Sequence, residues 1–255
     1  MKIAIVIPVY NKPQVTHQCL TSLFKYAGEN PSFSVIAVDD GSDTMTKHCL
    51  KSYPVHLLTN RTNKGYVYST NRGIRYALDE LLASHVVLMN NDIEVSDGWL
   101  SRMIRYSKEH DLVGYFGRQY MGSASFKPGY FLEFSCALIK RKVFKKVGLL
   151  DRGYPGGYYS DDEFCLQALR EGFKVGQIRN RNHRYVDHHT GGTYGKKRNV
   201  LIKKAYASFI ARWSPYETDP IVKNYLAKYT WDPFKEEWGD LPRALRLHKQ
   251  YKKKR

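Results

Sequence analysis

The sequence has no uninterrupted apolar run of the roughly 18 residues that a membrane-spanning helix requires. Its first apolar stretch, residues 2–9, also lacks the flanking residues of a secretory signal. Cysteine is scarce: the 4 cysteines lie far apart and form no CxxC pair, which argues against a zinc ribbon and a dense disulfide framework. These absences predict a cytoplasmic protein that is neither integral to a membrane nor exported.

The signature motifs of several common enzyme classes are also missing. The sequence contains no GxGxxG after a strand, no GxxxxGK[ST], no GxSxG and no HExxH. These gaps weigh against a dinucleotide-binding dehydrogenase, a P-loop NTPase, an α/β-hydrolase and a zinc protease. Residues 8–14 contain no glycine, so the Gly-rich N-terminal loop of a nucleotidyltransferase is absent as well.

The composition is that of a globular chain with a full-sized core, since 42% of the 255 residues are hydrophobic and 25% are charged. The net charge of +17 is unevenly distributed. Residues 1–100 hold 9 Lys and Arg against 9 Asp and Glu, whereas residues 101–255 hold 32 against 15. We therefore expect the C-terminal part to meet an anionic partner, although a solvated basic surface has the same composition.

Strands alternate with helices along the first hundred residues. Short β-rich runs at 2–9 and 34–39 enclose a helical pattern at 14–27, and the same alternation continues with helices at 45–52 and 68–82 and strands at 55–59 and 85–89. Further on, the pattern predicts helices at 99–110 and 142–147, strands at 112–116 and 131–139, a helix from 161 to 171, and helical segments from 199 onward. This order predicts an α/β fold with a largely parallel sheet, whose ligands bind beyond the carboxyl ends of the strands.

Two polar clusters follow predicted strands and are candidates for ligand binding. Asp39 and Asp40 precede Gly41-Ser42, where a carboxylate can accept hydrogen bonds from a base or a ribose. Asn90-Asn91-Asp92 offers oxygen ligands of the kind that Mg²⁺ or Mn²⁺ prefers, with positions left for phosphate. Each cluster is also typical of an ordinary turn after a strand.

Two further clusters lie in the second half of the chain. Asp161, Asp162 and Glu163 open a predicted helix, where acids either complement the helix dipole or supply a general base. His188 and His189 precede Thr190-Gly191-Gly192, a stretch suited to a metal or a phosphate, or to a solvated polar loop.

Taken in order, these motifs resemble those of glycosyltransferase family 2, the inverting enzymes with the GT-A fold. The likeness rests on Ile7-Pro8-Val9-Tyr10-Asn11, Val38-Asp39-Asp40-Gly41-Ser42, Asn63-Lys64-Gly65-Tyr66, Asn71-Arg72-Gly73, Leu88-Met89-Asn90-Asn91-Asp92, Phe134 to Ile139, Val147 to Asp151, Ser160 to Leu166 and His188 to Thr193. Each motif is weak alone, but their order and spacing extend over roughly residues 3–195.

The resemblance implies a role for each matching position. A nucleotide-diphosphate sugar would be bound by Pro8, Tyr10, Asn11, Asp39, Asn63, Gly65, Asn71 and Asn91, with Asp39 contacting the base. Asp92 would hold Mn²⁺ or Mg²⁺, with His188 or His189 near the metal or the diphosphate. Asp161 would be the catalytic base that deprotonates the acceptor hydroxyl.

The sequence departs from the family pattern at two positions. Asn90 replaces the first acid of the metal motif, which leaves one carboxylate fewer for the cation. Ser160 replaces the Glu that usually precedes the base, so that Asp162 is an alternative base.

The resemblance also implies a division of the chain and a class of acceptor. Residues 1–198 would form the catalytic domain, with 1–115 for the donor and 116–198 for the acceptor, and 199–255 a helical extension with a basic tail. We expect a uridine-linked donor and an anionic or membrane-associated saccharide acceptor, lipid-linked or on a surface, with the tail 241–255 contacting anionic lipid. The alternatives are transfer to a hydroxylated base in DNA, presented by the loop 182–198, and a catalytically silent domain that binds nucleic acid.

Overall fold

The computed structural model describes residues 1–26, 33–120, 129–178, 185–189 and 197–228. The helices are α1 (Pro13–Lys25), α2 (Thr44–Lys51), α3 (Tyr66–Asp79), α4 (Trp99–Ser107), α5 (Arg141–Val147), α6 (Ser160–Arg170), α7 (Arg198–Trp213) and α8 (Pro220–Lys228). The strands are β1 (Ile3–Val9), β2 (Phe33–Asp39), β3 (His56–Thr59), β4 (His85–Met89), β5 (Ile93–Val95), β6 (Leu112–Gly114), β7 (Gly117–Tyr120), β8 (Gly129–Leu132), β9 (Cys136–Lys140), β10 (Val175–Gln177) and β11 (Val186–His188).

A seven-stranded sheet in the order β10-β6-β9-β4-β1-β2-β3 forms the centre of the molecule. Strands β4, β1, β2 and β3 are parallel, as are β10 and β6, and only β9 runs antiparallel to both of its neighbours. The predicted α/β architecture with a largely parallel sheet is confirmed. Because β4, β1 and β2 are adjacent and parallel, the polar segments that follow them meet at one edge.

The strand predicted at 131–139 is wrong in its extent. It consists of two strands, β8 and β9, separated by a turn at 133–135. β8 pairs with β7 in a separate two-stranded sheet, whereas β9 enters the central sheet. The apolar run is continuous in sequence because both strands contribute buried side chains, so periodicity alone does not reveal the change of direction.

Helices cover both faces of the sheet and build a separate core on each. Close packing of α3 against β1 depends on Gly73, because a Cβ atom at that position would lie 2.3 Å from Cγ1 of Val6. Pro13 begins α1 at a position where its missing N–H costs no hydrogen bond.

Helices α7 and α8 share the hydrophobic core of the α5 and α6 face. Phe209 and Trp213 of α7 and Tyr225 of α8 are each at most 3% exposed and belong to the same cluster as Phe164 of α6. The described residues on either side of the predicted boundary between 198 and 199 therefore share one core, and the boundary itself stays a prediction. The basic tail 241–255 lies outside the described residues. Within the described parts of the chain, no helix is both long and apolar enough to cross a bilayer.

Candidate active site

A cleft of about 1100 Å³ lies beyond the carboxyl ends of β1, β2 and β4. Its walls come from the segments after these strands, the turn between β8 and β9, the first turns of α6 and α7, and β11. Eight of the residues predicted for the site line the cleft: Pro8, Tyr10, Asn63, Gly65, Asn91, Asp92, Asp161 and His188. Asn11, Asp39, Asn71 and His189 lie outside the lining.

Asp40 shapes the wall to which Asn63 and Gly65 belong. Its Oδ1 accepts a 2.8 Å hydrogen bond from the backbone N–H of Lys64, and its Oδ2 accepts one of 2.8 Å from that of Gly65. The Nδ2 of Asn60 donates to the same Oδ1 at 2.8 Å. Asp40 therefore holds the loop before α3 against the end of β2.

Asp39 is buried behind this wall, with 1% of its surface exposed. Its Oδ1 accepts a 2.8 Å hydrogen bond from the backbone N–H of Ser42. Its Oδ2 is buried and has no hydrogen-bond partner among the residues that the structure describes. A buried carboxylate oxygen without a donor is costly, so this atom is a candidate acceptor for a ligand N–H or O–H.

Asn11 and Asn71 are used to connect elements of the fold. Asn71 is buried, its Nδ2 donates to the carbonyl of Leu150 at 2.7 Å, and its Oδ1 accepts from the N–H of Leu150 at 3.0 Å. The Oδ1 of Asn11 accepts a 2.9 Å hydrogen bond from the N–H of Asp43. These contacts give both side chains structural partners. The contacts to the nucleotide sugar that the family resemblance implies for them stay a prediction.

The pairing of β5 with β11 separates the two histidines. Ile93 is opposite His188, and this register brings Nε2 of His188 within 3.2 Å of Oδ1 of Asp92 at the cleft. Nε2 of His189 lies 3.1 Å from Oε1 of Glu94, away from the cleft lining. The nearby carboxylate of Asp92 raises the pKa of the His188 imidazole. The arrangement favours His188 as the histidine of the candidate metal site.

Asp92 and His188 provide a carboxylate and an imidazole, which suit Mn²⁺ and are also compatible with Mg²⁺. No group of three His, Cys, Asp or Glu that could hold a metal occurs within the described segments. Two protein ligands leave coordination positions for phosphate oxygens, so the donor set fits a cation that is bound together with a nucleotide. Asn91, which also lines the cleft, is anchored by a 2.9 Å hydrogen bond from its Nδ2 to Oγ1 of Thr16.

The three acids at the start of α6 have different surroundings. Asp161 is half-buried and lines the cleft, with Oδ1 accepting a 3.0 Å hydrogen bond from the N–H of Asp162. Asp162 also reaches the cleft, but its Oδ1 accepts a 3.0 Å hydrogen bond from the hydroxyl of Tyr225. Glu163 is 1% exposed and contacts α7. Of the three, Asp161 is the residue best placed to act as a base.

The surroundings of Asp161 also change its acidity. Burial raises the pKa of its carboxyl group above the ordinary value, and the carboxylates of Asp162 and Glu133 raise it further. A carboxylate with a raised pKa is a stronger base once it is ionised, which suits proton removal from a hydroxyl group.

Sequence reasoning missed three charged residues of the lining, Lys12, Glu133 and Arg198. Glu133 was hidden inside the apolar run that predicted a single strand, and a lone acid in such a run was the only available signal. Arg198 begins α7 and is exposed at the cleft. The structure gives it no ion pair with any residue that it describes.

A family model described as glycosyl transferase family 2 matches residues 4–152. The chain belongs to glycosyl transferase family 2. This family 2 chain is 25% identical over 170 residues to the low-salt glycan biosynthesis hexosyltransferase Agl10 of Haloferax volcanii, a match that covers 56% of the chain and 55% of the relative. It is 29% identical over 116 residues to the poly(ribitol-phosphate) beta-glucosyltransferase of Bacillus spizizenii, covering 43% of the chain and 18% of the relative. The chain thus spans about half the length of the first relative and less of the second.

Solved structures support the fold. The mannosyltransferase PcManGT from Pyrobaculum calidifontis, in complex with GDP-Man and Mn²⁺, superposes on the family 2 chain with a TM-score of 0.66 at 15% identity. The match covers 98% of this chain and 79% of the other. S. aureus TarS 1–349 in complex with UDP-GlcNAc gives a TM-score of 0.59 at 14% identity, covering 96% and 79%. The family 2 chain has the mixed α/β architecture of these GT-A glycosyltransferases.

Proposed function

We propose that this protein is an inverting glycosyltransferase that moves a sugar from a nucleotide-diphosphate sugar to a hydroxyl group of an anionic saccharide or polyol acceptor. The observation that carries this proposal is the shared cleft: Asp161 at the start of α6 faces the same space as Asp92 and His188 after β4 and on β11. A base and a diphosphate-binding pair on one cleft are what a single displacement at an anomeric carbon needs.

The donor is proposed to lie along the walls formed by the segments after β1 and β2. Pro8, Tyr10, Asn63 and Gly65 offer contacts to the nucleotide, and Asp39 is proposed to meet the base with its unpaired Oδ2. Two structures similar in fold were determined in complex with UDP-GlcNAc and with GDP-Man. We propose a uridine nucleotide in the donor, and a comparison of labelled donors identifies the sugar.

Asp92 and His188 would hold Mn²⁺ or Mg²⁺ together with the diphosphate. When bound, such a cation neutralises negative charge on the departing nucleoside diphosphate. The structurally similar mannosyltransferase was determined in complex with Mn²⁺, which supports the choice of this ion.

Asp161 is proposed to take the proton of the acceptor hydroxyl as that oxygen attacks the anomeric carbon. The bond from the carbon to the diphosphate oxygen breaks on the opposite face, so one displacement inverts the configuration. Asp162 is a weaker candidate because its carboxylate already accepts the hydroxyl of Tyr225.

The acceptor is proposed to be anionic because the positive charge of the chain lies beyond residue 100 and Arg198 is exposed at the cleft. One relative is named a poly(ribitol-phosphate) glucosyltransferase, which agrees with a phosphate-containing acceptor. Neither of the two relatives described above is named for action on DNA, and most of the loop 182–198 that would present a base lies outside the described residues. We therefore propose neither DNA modification nor a silent nucleic-acid-binding domain.

The proposal is tested by incubating the purified chain and Mn²⁺ with radiolabelled UDP-glucose, UDP-GlcNAc or GDP-mannose. Each donor is offered to a lipid extract, to poly(ribitol phosphate), to a neutral oligosaccharide and to hydroxymethylated DNA. We expect label to be transferred to the poly(ribitol phosphate) or the lipid-linked saccharide, with the product in the inverted anomeric configuration by NMR. Absence of both donor binding and transfer with every donor would refute the proposal.

A further inference from the structure

The turn between β8 and β9 directs one carboxylate into the cleft. Leu132 and Phe134 are both 2% exposed and anchor this turn in the core, while Glu133 between them lines the cleft. The backbone N–H of Glu133 donates a 3.1 Å hydrogen bond to the carbonyl of Phe116. The position of Glu133 is therefore determined by core packing on both sides and by a backbone hydrogen bond, and not by a solvated loop.

The same turn is attached to the segment after β4. The backbone N–H of Asn90 donates a 2.9 Å hydrogen bond to the carbonyl of Ser135, and the Nδ2 of Asn90 lies 3.4 Å from the Oγ of Ser135. The backbone of the turn at 133–135 is thus joined to the segment that carries Asp92, two residues beyond Asn90.

Glu133 lines the same cleft as the proposed base Asp161 and the proposed diphosphate-binding residues Asp92 and His188. Its negative charge also contributes to the raised pKa of Asp161. It has no hydrogen bond or ion pair with any residue in the parts of the chain that the structure describes. A partly buried carboxylate that accepts no hydrogen bond from the protein is available to accept hydrogen bonds from a substrate.

Metal binding is a weaker explanation for this carboxylate. Asp92, His188 and Glu133 do not form one of the three-residue groups that could hold an ion, because no such group exists within the described ranges. Binding of a phosphate is disfavoured too, because Glu133 and Asp161 are both acidic. The hydrogen-bond donors that remain are the neutral hydroxyl groups of a sugar or a polyol bound in the cleft.

We infer that Glu133 binds an acceptor hydroxyl adjacent to the one that Asp161 deprotonates, so that the reacting unit of the acceptor is a neutral polyol or sugar with neighbouring hydroxyls. This inference rests on the proposed glycosyl transfer. It makes Glu133 a determinant of acceptor specificity: negative charge elsewhere on the acceptor meets Arg198 and the basic half, while its reacting end carries hydroxyl groups.

The test compares Glu133→Gln with wild type and with Glu109→Gln, an exposed acid beyond α4 that does not line the cleft. The donor is whichever nucleotide sugar the wild-type protein turns over. The acceptor probes are ribitol 5-phosphate, ribitol and methyl glucoside. Two rates are measured in the same reaction, namely transfer to the probe and hydrolysis of the donor by water.

We expect Glu133→Gln to raise the KM for the probe by about tenfold or more. A hydrogen bond from a hydroxyl group to a charged carboxylate is stronger than one to a neutral amide. At a pH above the raised pKa of Asp161, where this carboxylate is ionised in both proteins, donor hydrolysis, the KM for the donor and the Mn²⁺ requirement should stay within about twofold of wild type. Glu109→Gln should change none of these. An unchanged partition between transfer and hydrolysis in Glu133→Gln would overturn the inference, as would an altered Mn²⁺ requirement.

A wild-type protein that hydrolyses the donor but transfers to none of the three probes also contradicts the inference, while leaving glycosyl transfer intact. A wild-type protein that neither binds nor hydrolyses any nucleotide sugar refutes the proposed function itself. Failure of the two proposals is therefore distinguishable in one set of assays.

Discussion

The indole Nε1 of Trp213 donates a 2.5 Å hydrogen bond to Oε2 of Glu163, joining the end of α7 to the first turn of α6. The hydroxyl of Tyr154 donates to the same oxygen at 2.6 Å. On the other oxygen, Nε of Arg212 lies 2.9 Å from Oε1. Three segments of the chain thus meet on one buried carboxylate, two residues after Asp161. This connection gives the start of α6 a fixed position at the cleft.

The buried carboxylate of Glu163 makes the fold sensitive to its removal. Glu163→Gln keeps the volume but replaces one acceptor oxygen by an NH₂ group that faces other donors. We expect the free energy of unfolding in urea to fall by about 2 kcal/mol, because the new NH₂ group faces hydrogen-bond donors at a buried site. Trp213→Phe, which removes one donor, should cost less. A Glu163→Gln protein as stable as wild type would contradict this account.

Asp161→Asn should have opposite effects on activity and on stability. Loss of a general base is expected to reduce transfer by about 10² to 10⁴-fold. Because the folded-state pKa of Asp161 is raised, the folded protein holds this proton more tightly than the unfolded chain does. Wild-type stability therefore falls as the pH rises from the ordinary aspartate pKa through the raised one, and asparagine removes that loss.

Thermal unfolding of both proteins at a series of pH values checks the sign of this effect. The variant should unfold at a higher temperature than wild type above the raised pKa, and the difference should shrink toward acidic pH. Wild-type transfer should decline as the pH falls through the same range, since the base becomes protonated. A variant with near wild-type transfer would show that Asp161 is not the base.

The two adjacent histidines allow a matched comparison at the candidate metal site. His188→Ala removes the imidazole beside Asp92, whereas His189→Ala removes the one beside Glu94. We expect the Mn²⁺ concentration for half-maximal transfer to rise by about tenfold or more in His188→Ala, since even the outer partners of metal ligands contribute this much. His189→Ala should resemble wild type. Equal effects of the two substitutions would argue against the assignment of His188.

At Asn71, the role that the family resemblance implies differs from the contacts that the structure shows. Asn71→Ala leaves the buried N–H and carbonyl of Leu150 without their partners, at an expected cost of about 2 kcal/mol in urea unfolding. The KM for the donor should change little, because the amide of Asn71 is engaged with the backbone. A strong rise in that KM with no loss of stability would support the contact between Asn71 and the nucleotide sugar that the family resemblance implies.

The alternation of short strands with amphipathic helices was sufficient to predict the fold. Once β4, β1 and β2 are parallel neighbours, their polar ends must meet at one edge, so Asp39, Asn91 and Asp92 were located from sequence order alone. The candidate base Asp161 came from the family resemblance and not from its position, since acids at a helix start are also explained by the helix dipole.

The choice among neighbouring residues depended on contacts between distant parts of the chain. His188 and His189 are equivalent in sequence, and the antiparallel pairing of β11 with β5 places one at the cleft and the other beside Glu94. Asp161 and Asp162 are distinguished by Tyr225, and Asn71 is engaged by Leu150. Glu133 was invisible because a turn inside an apolar run leaves no periodic signal. Local patterns specify secondary structure, but the direction of a side chain depends on what packs against it, and these partners lie up to 96 positions away.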